Sequence, residues 1–80
     1  MSVKLLFFAQ CAEWVGLGEL NLPIKKAETL ESLLKASPLL QSILKNRRMV
    51  RVAVNQKLTG FNAEIKDNDE IAFLPPYSGG

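Results

Sequence analysis

One apolar run and three segments with alternating faces predict four β-strands in this chain. The first is an apolar run with a single lysine, Lys4, as in a central strand whose lysine-free face meets the core. The second contains Pro23, which lacks an N–H group and therefore belongs at a sheet edge. Turns at 55–57 and 67–69 precede Leu58 and the last strand. The four predicted strands are 3–9, 20–24, 50–54 and 70–74.

Helical spacing and capping residues predict one principal helix between the second and third strands. Thr29 is a good N-cap at its start, and Pro38 disfavours helical geometry at Ser37, so the helix ends or kinks there. Ser37-Pro38 also suits the start of a second helical stretch. A shorter helical turn at 11–15 closes at Gly16. In the principal helix and the second helical stretch, the residues that we expect to face inward are Leu30, Leu33, Leu34, Leu40, Ile43 and Leu44.

The order of these elements predicts an α+β fold in which a mixed sheet packs on one principal helix. Two strands precede the helix and the others follow it, which excludes a doubly wound array of alternating strands and helices. A ββαβ(β) roll fits this order, with the first and last strands parallel at the centre of the sheet. The inward residues predicted for the sheet are Val3, Leu5, Phe7, Leu20, Leu22, Ile24, Val52, Val54, Ile71 and Phe73.

The composition is that of one small folded domain. The 80 residues, 48% of them hydrophobic, suffice for a single core. Cys11 is the only cysteine, so no internal disulfide is possible and a reducing compartment fits best. No apolar run has the length of a membrane span or the layout of a secretory signal, and we therefore expect a cytoplasmic protein.

Two features of the composition exclude classes of function. The chain has no histidine, which removes Ser-His-Asp and Cys-His catalysis and nearly all zinc sites, so we do not expect a side chain to be the reactive group. A formal net charge of +2 is small for a nucleic-acid-binding protein. One basic cluster could contact phosphates but is more typical of a solvated loop. It consists of Lys45, Arg47, Arg48 and Arg51.

The end of the chain has an unusual composition. Pro75 and Pro76 stop the last strand, because proline offers no N–H to a ladder, and they favour an extended direction. Gly79 and Gly80 have no Cβ atoms and could pass through a channel too narrow for a side chain. Fully extended, residues 75–80 would reach about 20 Å, enough to enter the cleft of another protein. The alternative is a frayed end or a remnant of expression.

Three apolar residues are predicted on the face of the sheet that the helix leaves uncovered. Phe8 and Leu74 fall there by alternation, and Leu58 follows a turn that could present it nearby. A group of this kind beside an extended tail could form a patch that marks a partner. Alternatively, loops of the chain itself cover these side chains.

Three segments of the sequence resemble the small subunit of molybdopterin synthase, a family of ubiquitin-like sulfur carriers. They are 5–10, with Phe-Phe-Ala-Gln at 7–10; 53–56, with Ala-Val-Asn-Gln; and 67–76, which ends in Pro-Pro and leads to the final Gly-Gly. The likeness covers essentially the whole chain. Every ubiquitin-like sulfur carrier shares the Gly-Gly ending, whereas the first and last motifs together are much more specific.

The resemblance implies a ubiquitin-like β-grasp domain over residues 1–74 and a flexible tail over 75–80. It implies that an adenylating enzyme uses ATP to activate Gly80 and that sulfur then replaces AMP. The resulting thiocarboxylate donates sulfur to cyclic pyranopterin monophosphate in the large catalytic subunit, during molybdenum cofactor biosynthesis. The chain would be a non-catalytic sulfur donor in this transferase complex.

The resemblance also implies a set of site residues and partners. The partners are the large subunit and the adenylating enzyme, with no nucleic acid and no membrane, and the chain itself holds no cofactor or metal. Gly80 is the residue whose carboxyl group reacts, and Gly79, which has no side chain, keeps the approach to it narrow. The implied partner contacts are Phe8, Leu58, Leu74, Pro75, Pro76 and Tyr77.

Other interpretations remain open from the sequence. They are a sulfur carrier of thiamine biosynthesis, a ubiquitin-like modifier joined to target lysines, and a binding module whose tail has no chemical role. Cys11 could be a sulfur donor, although a lone cysteine is more often a small core residue. Trp14 is interpreted as a packing or interface residue.

Overall fold

The computed structural model describes residues 1–76, so the predictions about Tyr77, Gly79 and Gly80 lie outside the described residues. The strands are β1 (Ser2–Phe7), β2 (Glu19–Pro23), β3 (Glu28–Thr29), β4 (Arg51–Val54), β5 (Lys57–Thr59), β6 (Glu64–Ile65) and β7 (Glu70–Leu74). The helices are α1 (Gln10–Val15), α2 (Leu30–Lys35) and α3 (Gln41–Lys45), with 3-10 turns at Pro38–Leu40 and Arg47–Met49. Over residues 1–76, every helix is too short to cross a membrane.

Five strands form a mixed sheet in the order β2-β1-β7-β4-β5. β1 and β7 pair in parallel at its centre, and the other pairs of this sheet are antiparallel. A second, two-stranded sheet pairs β3 with β6. This topology confirms the predicted α+β, ubiquitin-like β-grasp fold, and it places Pro23 on an edge strand as predicted.

Local chemistry accounts for several element boundaries. Thr29 caps α2 by accepting a hydrogen bond from the Ser32 N–H at 3.1 Å. Gly16 ends α1 at φ 87°, a left-handed conformation in which a residue without Cβ avoids strain. Asn55 and Gln56 have φ values of 50° and 71°, as in the tightest hairpin turns, and they join β4 to β5.

The core lies between the five-stranded sheet and the helices. Phe7 and Phe73, paired on the two central strands, stack with ring centroids 5.4 Å apart and planes 9° apart. Four residues predicted to face inward are only partly buried: two lie on the edge strand, one at a strand end and one on α3. These are Leu20, Leu22, Val54 and Leu44. The buried core residues are Val3, Leu5, Phe7, Cys11, Val15, Ile24, Leu30, Leu33, Leu34, Leu40, Ile43, Val50, Val52, Ile65, Ile71 and Phe73.

Three features differ from the sequence-based prediction. β1 ends at Phe7 and not at Ala9, because Ala9 turns to φ 50° as the chain enters α1. The principal helix, α2, has only six residues, as many as α1, and α3 packs against both of them. The β3–β6 pair was missed because two-residue strands have no periodicity, yet Ile65 within it is fully buried.

Candidate docking face and tail exit

The sheet face opposite the helices carries a row of apolar side chains that crosses four strands. Side chains alternate along a strand, so the register places Leu6, Ala72, Ala53 and Leu58 side by side on this face. Leu58 is 61% exposed and Leu6 is half-buried. The two alanines between them have short side chains, so the row has a leucine at each end and small residues in the middle. We call these four residues the outer row.

Phe8 and Leu74 form an apolar pair on the same face, nearer the end of the sheet. The Phe8 N–H donates to the Phe73 carbonyl oxygen at 3.1 Å, and the Phe8 carbonyl accepts from the Cys11 N–H at 3.0 Å. The main chain of Phe8 is therefore held on both sides while its side chain remains 44% exposed. Ala9, with φ 50° and ψ −124°, is strained for a residue with a Cβ, and this turn leaves Phe8 at the rim.

The described part of the tail begins beside this pair. Leu74 lies opposite Arg51 in the β4–β7 register, and Pro75 and Pro76 follow it, both half-buried. The Arg51 Nη1 donates to the carbonyl oxygen of Pro76 at 3.4 Å. The chain therefore leaves the sheet at the same end as its exposed apolar pair.

The structure places Phe8, Leu58 and Leu74, the three apolar residues predicted for this patch, on one face but not in one group. Phe8 lies beside Leu74 at the centre of the sheet, whereas Leu58 is on the edge strand β5, with β4 between. The outer row connects Leu58 to the central strands through Ala53 and Ala72. The apolar surface is continuous only when the outer row is included.

Sequence reasoning did not single out four residues of this face, namely Leu6, Ala53, Ala72 and Arg51. Alternation gives the face on which each side chain lies, and for Leu6 that signal was present. The register between strands distant in sequence brings these residues together, and the periodicity of a single strand does not contain it. Arg51 had been grouped with the basic cluster, although its strand position puts it beside the tail.

The end of this face remote from the tail is polar. Lys4 lies opposite Glu70 in the β1–β7 register, and its Nζ is 4.0 Å from a carboxylate oxygen of Glu19. Asp69, just before β7, is buried and accepts hydrogen bonds of 2.9 Å from the Asn55 side chain and the Lys66 N–H. Burial raises the pKa of Asp69, but these hydrogen bonds outweigh it and hold the pKa below its usual range.

Cys11 lies in the core, which confirms its interpretation as a small core residue. It is completely buried, and burial raises the pKa of its thiol, so a reactive thiolate is disfavoured. Trp14 is partly buried against the core, in agreement with a packing role.

The chain is similar to sulfur carrier proteins over nearly its whole length. The family model of the ThiS family matches residues 5–80. The molybdopterin synthase sulfur carrier subunit of Escherichia coli is 35% identical over 80 residues, and the match covers 98% of this chain and 99% of that protein.

Two solved structures extend the comparison to three dimensions. The small archaeal modifier protein 1 of Haloferax volcanii has a TM-score of 0.77 at 24% identity, covers both chains completely, and shows the fold alone. A complex of subunits 1 and 2 of the molybdopterin-converting factor of Helicobacter pylori contains a chain with a TM-score of 0.63 and 25% identity, again covering both chains completely.

Proposed function

This chain belongs to the ThiS family, among the molybdopterin synthase sulfur carrier subunits, and from that premise we propose that it carries sulfur as a thiocarboxylate on Gly80. The thiocarboxylate delivers sulfur to cyclic pyranopterin monophosphate held by the large catalytic subunit of molybdopterin synthase. Two such deliveries supply both sulfur atoms of the dithiolene in the molybdenum cofactor. The chain is the donor half of a transferase and contributes no catalytic side chain.

The observation that carries this proposal is the shared position of the apolar face and the tail exit. The outer row and the Phe8–Leu74 pair give a partner a surface to bind, and Pro75 and Pro76 leave the sheet from that surface. A protein docked there lies at the end of the sheet where Pro76, the last described residue, leads into the tail. Holding the reactive end close to its acceptor raises its effective concentration, which is the main rate advantage open to a carrier without catalytic groups.

The chemistry of a terminal carboxyl explains why activation must come first. A free α-carboxyl group has a pKa of about 3.3–3.7 and is an unreactive anion at neutral pH. Attack of this carboxylate on the α-phosphate of ATP gives an acyl adenylate and pyrophosphate. A sulfide equivalent then displaces AMP and leaves a nucleophilic thiocarboxylate. The thiocarboxylate sulfur then bonds to a pterin carbon and displaces the oxygen bound there, and water cleaves the acyl–sulfur bond, which restores the carboxylate and leaves the sulfur on the pterin.

This scheme requires two protein partners and assigns them different roles. An adenylating enzyme consumes the ATP, and the large catalytic subunit binds the pterin. Both engage the outer face, with contacts to Phe8, Leu58 and Leu74, while Gly79 and Gly80 enter their active sites and Pro75, Pro76 and Tyr77 line the entrance. The carrier itself uses no metal or cofactor in these steps, and a reducing compartment such as the cytoplasm suits its single cysteine.

The experiment that tests the proposal is intact-mass analysis of the chain purified from its own cells. We expect a fraction of molecules to carry the mass increase that replacement of one oxygen by sulfur produces, located at Gly80 by fragmentation. Deletion of Gly79 and Gly80 should remove that species and abolish cellular molybdoenzyme activity.

The matched control is Ser78→Ala, which alters the tail but keeps its length and its final glycines. This variant should form the thiocarboxylate and support molybdoenzyme activity. Full molybdoenzyme activity in the deletion strain would refute the proposal. A deletion strain that keeps its molybdoenzyme activity but grows only with added thiamine would instead favour a thiamine-pathway carrier. Isopeptide adducts of the chain on many proteins would favour a modifier.

A further inference from the structure

Arg51 is a charged residue among apolar side chains on the outer face, the sheet face opposite the helices, at the end where the tail begins. It is the first residue of β4, it is exposed, and it lies opposite Leu74 and diagonal to Leu58 across Ala53. We propose that its guanidinium bridges the start of the tail to a carboxylate of the large subunit and so couples docking to the direction of the tail. The inference rests on the proposed function, because it assumes that the large subunit covers this face.

The contact to the tail follows from the two prolines. The ladder between β4 and β7 ends at Arg51 and Leu74, and Pro75 and Pro76 have no N–H groups with which to extend it. Carbonyl oxygens are the only main-chain hydrogen-bonding groups that these two residues offer. The Arg51 side chain takes one of them, the carbonyl of Pro76, at 3.4 Å. It thus ties the start of the tail to β4 where main-chain pairing cannot.

Most of the donors of Arg51 remain available for a partner. A guanidinium has five N–H donors in a planar fork, and the contact to Pro76 uses one. Within residues 1–76 no ion pair joins Arg51 to a carboxylate. The sequence has no aspartate or glutamate between Glu31 and Glu64, so the surroundings of Arg51 in the chain are basic.

Docking changes the energetics of this side chain. A partner that covers Leu74 and Leu58 removes water from Arg51 between them, and a buried charge without a partner is strongly unfavourable. A carboxylate fits the planar fork in a two-point contact, which a lysine in the place of Arg51 cannot make. In the same dry environment the contact to Pro76 strengthens, because a lower local dielectric strengthens hydrogen bonds. The large subunit therefore presents an aspartate or glutamate beside its apolar contacts.

The test compares Arg51 variants in binding to the large subunit from the same organism. We expect Arg51→Gln to raise Kd by about tenfold or more, and Arg51→Lys to restore only part of the loss. The matched control is Lys57→Gln, which removes the same charge from an exposed residue whose register partner, Val54, faces away from the outer row. Its Kd should stay within about twofold of the wild-type value. Arg51 is exposed, so thermal unfolding of all these variants should match the wild type.

Two further measurements separate a bridge from a general charge effect. Arg51→Glu should abolish tight binding, and exchange of one acidic residue of the large subunit for lysine should restore it. With the large subunit saturating, the single-turnover rate of sulfur transfer from thiocarboxylated Arg51→Gln should still fall severalfold, because the tail has lost its tie to β4. An unchanged Kd for both Arg51→Gln and Arg51→Glu would overturn the bridge. It would leave the proposed function intact, since that function fails only if the wild-type thiocarboxylate transfers no sulfur.

Discussion

Asp69 shows how one buried charge fixes the geometry of two turns. Its carboxylate accepts hydrogen bonds from the Asn55 side chain, in the β4–β5 turn, and from the Lys66 N–H, in the turn before β7. The Asn55 side chain in turn accepts a hydrogen bond from the Glu70 N–H at 3.0 Å. The network holds the start of the central strand β7 against the hairpin, at the end of the sheet remote from the tail.

The charge of Asp69 should make stability depend on pH. Its pKa is lower in the folded state, so its stabilisation is complete above the unfolded-state pKa of about 3.9 and is lost as pH falls through the folded-state value. We expect Asp69→Asn to lower the free energy of unfolding by about 2 kcal/mol at pH 7. Urea titrations should show this difference shrinking below about pH 4.

Glu64→Gln is the control for Asp69→Asn, because Glu64 is an exposed acid on β6. It should have little effect at either pH. If Asp69→Asn lowered the free energy of unfolding by the same amount from pH 7 to pH 3, the shape of the side chain and not its charge would be responsible for the loss.

Single residues also show where sequence reasoning about the site reached its limit. Phe8 and Leu74 were assigned to the uncovered face by alternation alone, and the structure places them there. Alternation could not reveal that Arg51 stands between Leu74 and Leu58, because that depends on the register of β4 against both neighbours. Residues 77–80, on which the proposed chemistry depends, lie outside the described part of the chain.

Among the elements, the long or well-capped ones were predictable and the short ones were not. β1 and β7 are rich in apolar residues, and α2 begins at a threonine cap, so local sequence specifies them. The β3–β6 pair has two residues per strand and exists because tertiary packing brings Glu28 opposite Ile65. The 3-10 turn at Arg47–Met49 has no periodic signal either.

The end of α1 offers a test of helix termination with two nearby glycines. Gly16 has φ 87° with open space around its Cβ position, so an alanine would be strained by its backbone alone. We expect Gly16→Ala to cost about 1 kcal/mol in the free energy of unfolding, measured by urea denaturation. Gly18, also with open space but outside the left-handed region, should accept alanine without loss. Equal effects of the two substitutions would contradict the role of Gly16 as a left-handed helix end.

For the whole molecule, one side of the sheet covers the core, and we propose that the other side binds partners. Leu58 and Leu39 are both exposed leucines, at 61% and 48%, but Leu58 lies on the outer row and Leu39 lies on the helix side, against β2. The same substitution at each of these two leucines therefore compares the two faces of the sheet.

We expect Leu58→Asp to weaken binding of the large subunit by about tenfold or more, since a charge would be placed in an apolar contact. Leu39→Asp should change the affinity by less than about twofold, and both variants should unfold at wild-type urea concentrations because the replaced side chains are exposed. Isothermal titration calorimetry provides the measurement. Equal weakening by both substitutions would show that the outer row is not the binding surface.

The parallel pairing of β1 with β7 also has a kinetic consequence. These strands are separated by more than sixty residues of sequence, so the centre of the sheet forms only after a long loop closes, which slows folding. In the meantime β1, whose core face carries Val3, Leu5 and Phe7, has β2 as its one local neighbour and an open edge on the other side. Newly made molecules are therefore most prone to aggregate before β7 pairs with β1. Conditions that delay this pairing should reduce the yield of folded carrier.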